Sequence, residues 1–97
     1  LRYRSAGSVF KNSSQYAAGY LIDNAGLKGL KSGDAKISTK HANFIINHGK
    51  AKATDILKLI KIIKQKVFDK YNILLELEIK TLGFKPNDIE KINVQKS

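Results

Sequence analysis

Ala53-Thr54-Asp55-Ile56-Leu57-Lys58-Leu59-Ile60-Lys61-Ile62-Ile63-Lys64-Gln65-Lys66-Val67-Phe68-Asp69-Lys70-Tyr71 is the stretch that decides the fold. Ile56, Leu59, Ile60, Ile63, Val67 and Tyr71 recur at the spacing of one helical face, while Lys58, Lys61, Lys64 and Lys66 fall mainly on the remaining surface. The spacing predicts a helix over 53–71 with one buried stripe and one solvated basic face. Asn72 ends it, as a C-cap or in the following turn. Directly afterwards the period changes from 3.6 to 2. Leu75, Leu77, Ile79 and Thr81 alternate with Glu76, Glu78 and Lys80, which predicts a strand over 74–82 broken by Gly83.

Working upstream, Ser13 and Ser14 offer cap oxygens for a shorter helix over about residues 15–25, with Gly26 as its C′ residue. Gly26, Gly29, Gly33 and Asp34 punctuate a turn-rich region over 26–42. Lys36-Ile37-Ser38 reads as a short strand and Asn43-Phe44-Ile45-Ile46-Asn47 as a better one, closed by a His48-Gly49 turn. The predicted fold is α+β: a small, largely antiparallel sheet covered by one long helix and one shorter helix.

The chain has 97 residues, the size of one domain. At 42% hydrophobic and 27% charged residues it has an ordinary globular composition. The absence of cysteine excludes disulfides, thiolate zinc sites, iron–sulfur clusters and thiol nucleophiles. No apolar run approaches the roughly 18 residues of a membrane span, and Leu1 to Phe10 is not a signal peptide, so a cytoplasmic location is expected.

Eighteen basic against eight acidic residues give a net charge of +10, which raises the alternative of a small basic nucleic-acid-binding domain. Only Arg2 and Arg4 are arginine, however, and arginine is the residue suited to bidentate phosphate and base recognition. The lysines are dispersed and form no block. Gly26-Leu27-Lys28-Gly29 matches the GxxG loop of KH domains, but that loop joins two helices, and here Gly33 interrupts the segment over 30–34 where the second helix would begin. The lysine-edged helix could lie on an anionic membrane, yet a domain this small needs its apolar stripe for a core. His41 and His48, the only histidines, have neither cysteines nor clustered carboxylates to complete a metal site.

Two features carry chemistry. In Gly7-Ser8-Val9-Phe10-Lys11-Asn12, glycine permits close approach to the backbone, serine can donate a proton, and Lys11 and Asn12 are phosphate-compatible donors. Glu78 lies on the polar face of the predicted 74–82 strand. Spacing alone does not say whether Glu78 meets Ser8.

Four collinear segments resemble the C-terminal domain of the UDP-N-acetylenolpyruvoylglucosamine reductase family. They are Ser5-Ala6-Gly7-Ser8-Val9-Phe10-Lys11-Asn12, then Ala18-Gly19-Tyr20-Leu21-Ile22-Asp23-Asn24-Ala25-Gly26-Leu27-Lys28-Gly29, then Ser38-Thr39-Lys40-His41-Ala42-Asn43-Phe44-Ile45-Ile46-Asn47, and finally Leu75-Glu76-Leu77-Glu78-Ile79-Lys80. The resemblance implies a flavoenzyme of peptidoglycan synthesis in which NADPH reduces FAD and hydride passes to C3 of an enolpyruvyl ether on a UDP-sugar. It makes Ser8 the donor of the proton that C2 then requires and places Glu78 in the same step. It implies substrate-binding roles for Gly7, Lys11 and Asn12, with the nucleotide diphosphate held by Asn12 and Lys11. Serine is a feeble acid in water, but a C2 carbanion is far more basic, so the transfer runs downhill.

The resemblance further implies a substrate-binding domain over 1–83 and a tail over 84–97. Leu1 is not an initiator methionine and the chain opens on its most unusual loop, so a piece of a longer protein is expected. The partners implied are the UDP-sugar enolpyruvate and upstream flavin domains, with no nucleic acid and no membrane. FAD and NADPH are expected in the full-length enzyme, with no cofactor or metal on these residues. Three positions depart from the family pattern: Ser13, Leu77 and Arg4 stand where proline is usual.

Overall fold

Residues 9–78 and Val94 are described by the computed structural model, and along them the chain forms α1 (Ala18–Asn24), β1 (Lys31–Ser32), β2 (Ala35–Ile37), β3 (Ile45–Asn47) and α2 (Ala53–Tyr71). The strands form one antiparallel sheet in the order β1-β2-β3, with Ser32 opposite Ala35 and Ile37 opposite Ile45. This is the α+β arrangement predicted, with the long helix where periodicity placed it. The predicted tail over 84–97 lies outside the described residues, Val94 apart.

The apolar stripe of α2 drives the packing. Ile56, Leu57, Leu59, Ile60, Ile63 and Val67 are buried and meet Ala35, Ile37 and Ile45 of the sheet together with Leu21 and Ile22 of α1. Each fully buried aliphatic side chain is worth about 1.5–3 kcal/mol, so this stripe is the main source of cohesion. Asn72 closes α2 in the left-handed conformation at φ 57°, its N–H donating to the Phe68 carbonyl. The Lys70 ammonium donates to the Asn24 carbonyl and so ties the ends of the two helices together.

The shorter helix starts later than predicted, at Ala18 and not near residue 15. Ser13 spends its hydroxyl on a local turn, accepting from the Gln15 and Tyr16 amides at 3.1 and 3.2 Å. The N-terminal amide of α1 is capped from outside the helix, by Asn12 Oδ1 accepting from Ala18 at 2.8 Å. The strand expected over 43–47 is shortened to Ile45–Asn47 because the Asn43 side chain bonds elsewhere. β1, a two-residue strand, escaped the sequence reading because no periodicity can show in two residues.

β1 and β2 are joined by a two-residue turn in which Gly33 takes φ +56°. A Cβ there would sit 2.5 Å from the Asp55 carboxylate. That carboxylate accepts from the Lys52 amide at 3.0 Å at the start of α2. Gly33→Ala therefore combines left-handed strain with displacement of a helix-start contact. It is expected to lower stability by about 2–3 kcal/mol, measured by urea denaturation.

Candidate functional site

The segment over 9–12 is held from both edges. On one side, Glu78 N–H donates to the Val9 carbonyl and Lys11 N–H to the Glu76 carbonyl, each at 2.8 Å. These bonds make Phe10 and Leu77 an antiparallel bridge. They also set Glu78 directly across from Val9, the residue that follows Ser8. On the other side, Asn43 Oδ1 accepts from Phe10 N–H and Asn43 Nδ2 donates to the Phe10 carbonyl, both at 2.9 Å. The Asn43 carbonyl accepts from Val9 N–H at 2.8 Å. The carboxamide thus stands in for a peptide group of a neighbouring strand. Phe10 and Val9 are anchored further by burial, at 0% and 1% exposure.

The bridge explains why the period-2 pattern beyond α2 survives without proline. Leu77 occupies the pair that exchanges no ladder bonds, so its own N–H is not used there. A proline at that position would forfeit no bond of this bridge. Ser13 differs, since its N–H donates to the Tyr16 carbonyl and its hydroxyl orders the turn before α1. Leu75 is buried while Glu76 and Glu78 are exposed, in keeping with the predicted alternation. Over 74–78 the predicted strand is reduced to that single bridge, because only the short 9–11 segment pairs with it, and from Ile79 on it lies outside the described residues.

Beside this segment is an open cleft of about 400 Å³ whose lining includes Asn12, Tyr20, Lys28, Lys40, His41 and Asn43. It is basic: Lys28 and Lys40 outnumber Asp23, which pairs with Lys28 at 3.3 Å. The Asn12 carbonyl oxygen is already committed to the Ala18 amide, so the group it can turn toward a ligand is the NH2 donor. That polarity suits an anion. The turn over 26–30 forms no anion cradle. Gly26, Leu27, Gly29 and Leu30 donate their amides to Asp23, Ile22, Ile37 and Leu27 carbonyls, and the turn leads into β1 and not into a second helix.

Of the residues singled out from sequence, Asn12 lines the cleft and Glu78 sits at the paired end of the 9–11 segment. Lys11 is exposed beside them, outside the cleft lining. Gly7 and Ser8 fall outside the described residues. Lys28, Lys40 and Asn43 also line the cleft and were not singled out as candidates, because nothing local in Leu27-Lys28-Gly29 or Lys40-His41-Ala42-Asn43 separates them from surface or strand residues. Among the described residues no group of three or more His, Asp or Glu side chains could hold a metal ion, and no helix is long and apolar enough to cross a membrane.

The chain matches, over residues 1–82, the family described as UDP-N-acetylenolpyruvoylglucosamine reductase, C-terminal domain. It belongs to that family. Among curated proteins it is 52% identical over 81 residues to the UDP-N-acetylenolpyruvoylglucosamine reductase of Trichormus variabilis, covering 84% of this chain and 24% of that protein. The reductase of the same name from Caldicellulosiruptor bescii is 55% identical over 83 residues, or 86% of this chain and 26% of that protein. The crystal structure of UDP-N-acetylenolpyruvylglucosamine reductase (MurB) from Thermus caldophilus superposes with a TM-score of 0.66 at 46% identity, over 82% of this chain and 28% of that one. The chain thus spans about a quarter of the length of the curated reductases it matches.

Proposed function

We propose that this chain is the substrate-side domain of an FAD- and NADPH-dependent reductase that converts UDP-N-acetylglucosamine enolpyruvate to UDP-N-acetylmuramate for peptidoglycan. The observation that carries the reading is the register that sets Glu78 across from Val9. That register puts the Glu78 backbone beside the residue that follows Ser8 in the chain. In this reading Ser8 gives its hydroxyl proton to C2 of the substrate and Glu78 orients that hydroxyl. A few residues along, Asn12 with Lys28 and Lys40 receives the diphosphate in the basic cleft.

The 26–30 turn does not fit a flavin pyrophosphate. Glycine-rich turns hold a flavin pyrophosphate through free backbone N–H groups, and in the 26–30 turn those of Gly26, Leu27, Gly29 and Leu30 are spent inside the domain. FAD and NADPH therefore belong, in this proposal, to the part of the reductase that this chain does not span. The cytoplasm is the compartment where such a nucleotide-sugar enzyme is expected to work.

Removing one charged donor to a phosphate costs about 1.5–3 kcal/mol, or roughly 10- to 100-fold in affinity. Lys28→Ala and Lys40→Ala in the full-length reductase are each expected to weaken UDP binding by about that factor in isothermal titration. Unchanged affinity in both variants contradicts the cleft as the diphosphate site.

A further inference from the structure

We propose that Asn43 is a positioning residue for the proton-transfer step, holding the 9–12 segment in register with both Glu78 and the phosphate cleft. This rests on the function proposed above. Asn43 is buried at 7% exposure, and its carboxamide makes both of its hydrogen bonds to one backbone unit, Phe10. Its own carbonyl takes the Val9 amide. The opposite edge of the same segment is bonded to Glu76 and Glu78. The backbone that immediately follows Ser8 is therefore fixed between Asn43 on one side and the Glu78 segment on the other. Asn43 also lines the cleft with Asn12, and it packs against α1, since a Cβ on Gly19 would lie 3.7 Å from the Asn43 Cβ.

Among side chains of this size, only a carboxamide offers an acceptor and a donor side by side. Aspartate keeps the shape but sets an acceptor against the Phe10 carbonyl. An aliphatic residue leaves the Phe10 N–H and C=O both unpaired. Either change loosens the 9–12 segment while leaving the side-chain chemistry of Ser8, Glu78 and the cleft lysines unaltered. A misplacement on the order of 1 Å at a reacting group can cost about 100-fold in rate.

The test uses the full-length reductase with Asn43→Asp, Asn43→Ala and, separately, Ser8→Ala, followed by stopped-flow absorbance. Flavin reduction by NADPH is expected to stay at the wild-type rate in the Asn43 variants. Flavin reoxidation by the enolpyruvyl substrate is expected to slow by about 10- to 100-fold. Its solvent deuterium isotope effect should rise above the wild-type value, because proton transfer becomes limiting. Simple loss of folded domain reduces the reacting amplitude and leaves that isotope effect unchanged.

Wild-type reoxidation rates and isotope effects in the Asn43 variants, with Ser8→Ala slowed, overturn the role of Asn43 alone. Wild-type reoxidation in Ser8→Ala overturns the functional reading beneath it. Should the variants fail to fold, amide exchange in the wild-type enzyme decides. The Phe10 N–H is expected to exchange as slowly as that of Ile60 inside α2, and rapid exchange at Phe10 overturns the clamp.

Discussion

Phe10→Ala lowers the unfolding free energy of this domain by about 3–5 kcal/mol. The ring has no exposed surface and sits in the cluster that joins the α2 stripe to the sheet. Truncation leaves a cavity that the neighbours cannot close, because the Phe10 backbone is pinned by Asn43 on one edge and its neighbours Val9 and Lys11 by the 76–78 segment on the other. Total stability of a small domain is about 5–15 kcal/mol, so the loss takes a large share of it. Urea denaturation followed by circular dichroism measures the effect. Leu74→Ala, at a site 44% exposed, is the surface comparison and is expected to shift stability by about 0.5 kcal/mol or less. A Phe10 effect as small as the Leu74 one contradicts this residue's place in the core.

The parts of the fold legible in sequence were those written in periodicity. The α2 stripe spans five turns, long enough for its 3.6 period to fix both ends, and Asn72 supplies the stop at positive φ. The short elements were less legible because their ends depend on remote bonds. Asn12 caps α1 from six residues away, and Asn43 is drawn out of its strand by Phe10, thirty-three residues distant. Both are asparagines whose role lies in where the carboxamide reaches, and no local pattern encodes that. The same limit applied to the site. Ser8, Glu78 and Asn12 stood out through family resemblance, whereas Lys28 and Lys40 join Asn12 only when the turn over 26–30 and the loop before β3 fold against α1. The net charge of +10 was a weak guide throughout. The basic face of α2 is solvated, and the half-buried Lys64 is held below the ordinary lysine range by desolvation and then by Lys61.

Ser8→Ala in the full-length reductase carries the largest expected effect on activity. A positioned general acid contributes about 10²–10⁴-fold, and alanine removes the proton without altering the backbone that Asn43 and the 76–78 segment hold. Substrate affinity should change little, since the cleft around Asn12, Lys28 and Lys40 is left intact. The direct measurement is stopped-flow absorbance of the two half-reactions, flavin reduction by NADPH and reoxidation by UDP-N-acetylglucosamine enolpyruvate. The predicted result is wild-type reduction with reoxidation slowed by about 10²–10⁴-fold. Reoxidation at the wild-type rate would contradict the claim that this domain supplies the proton.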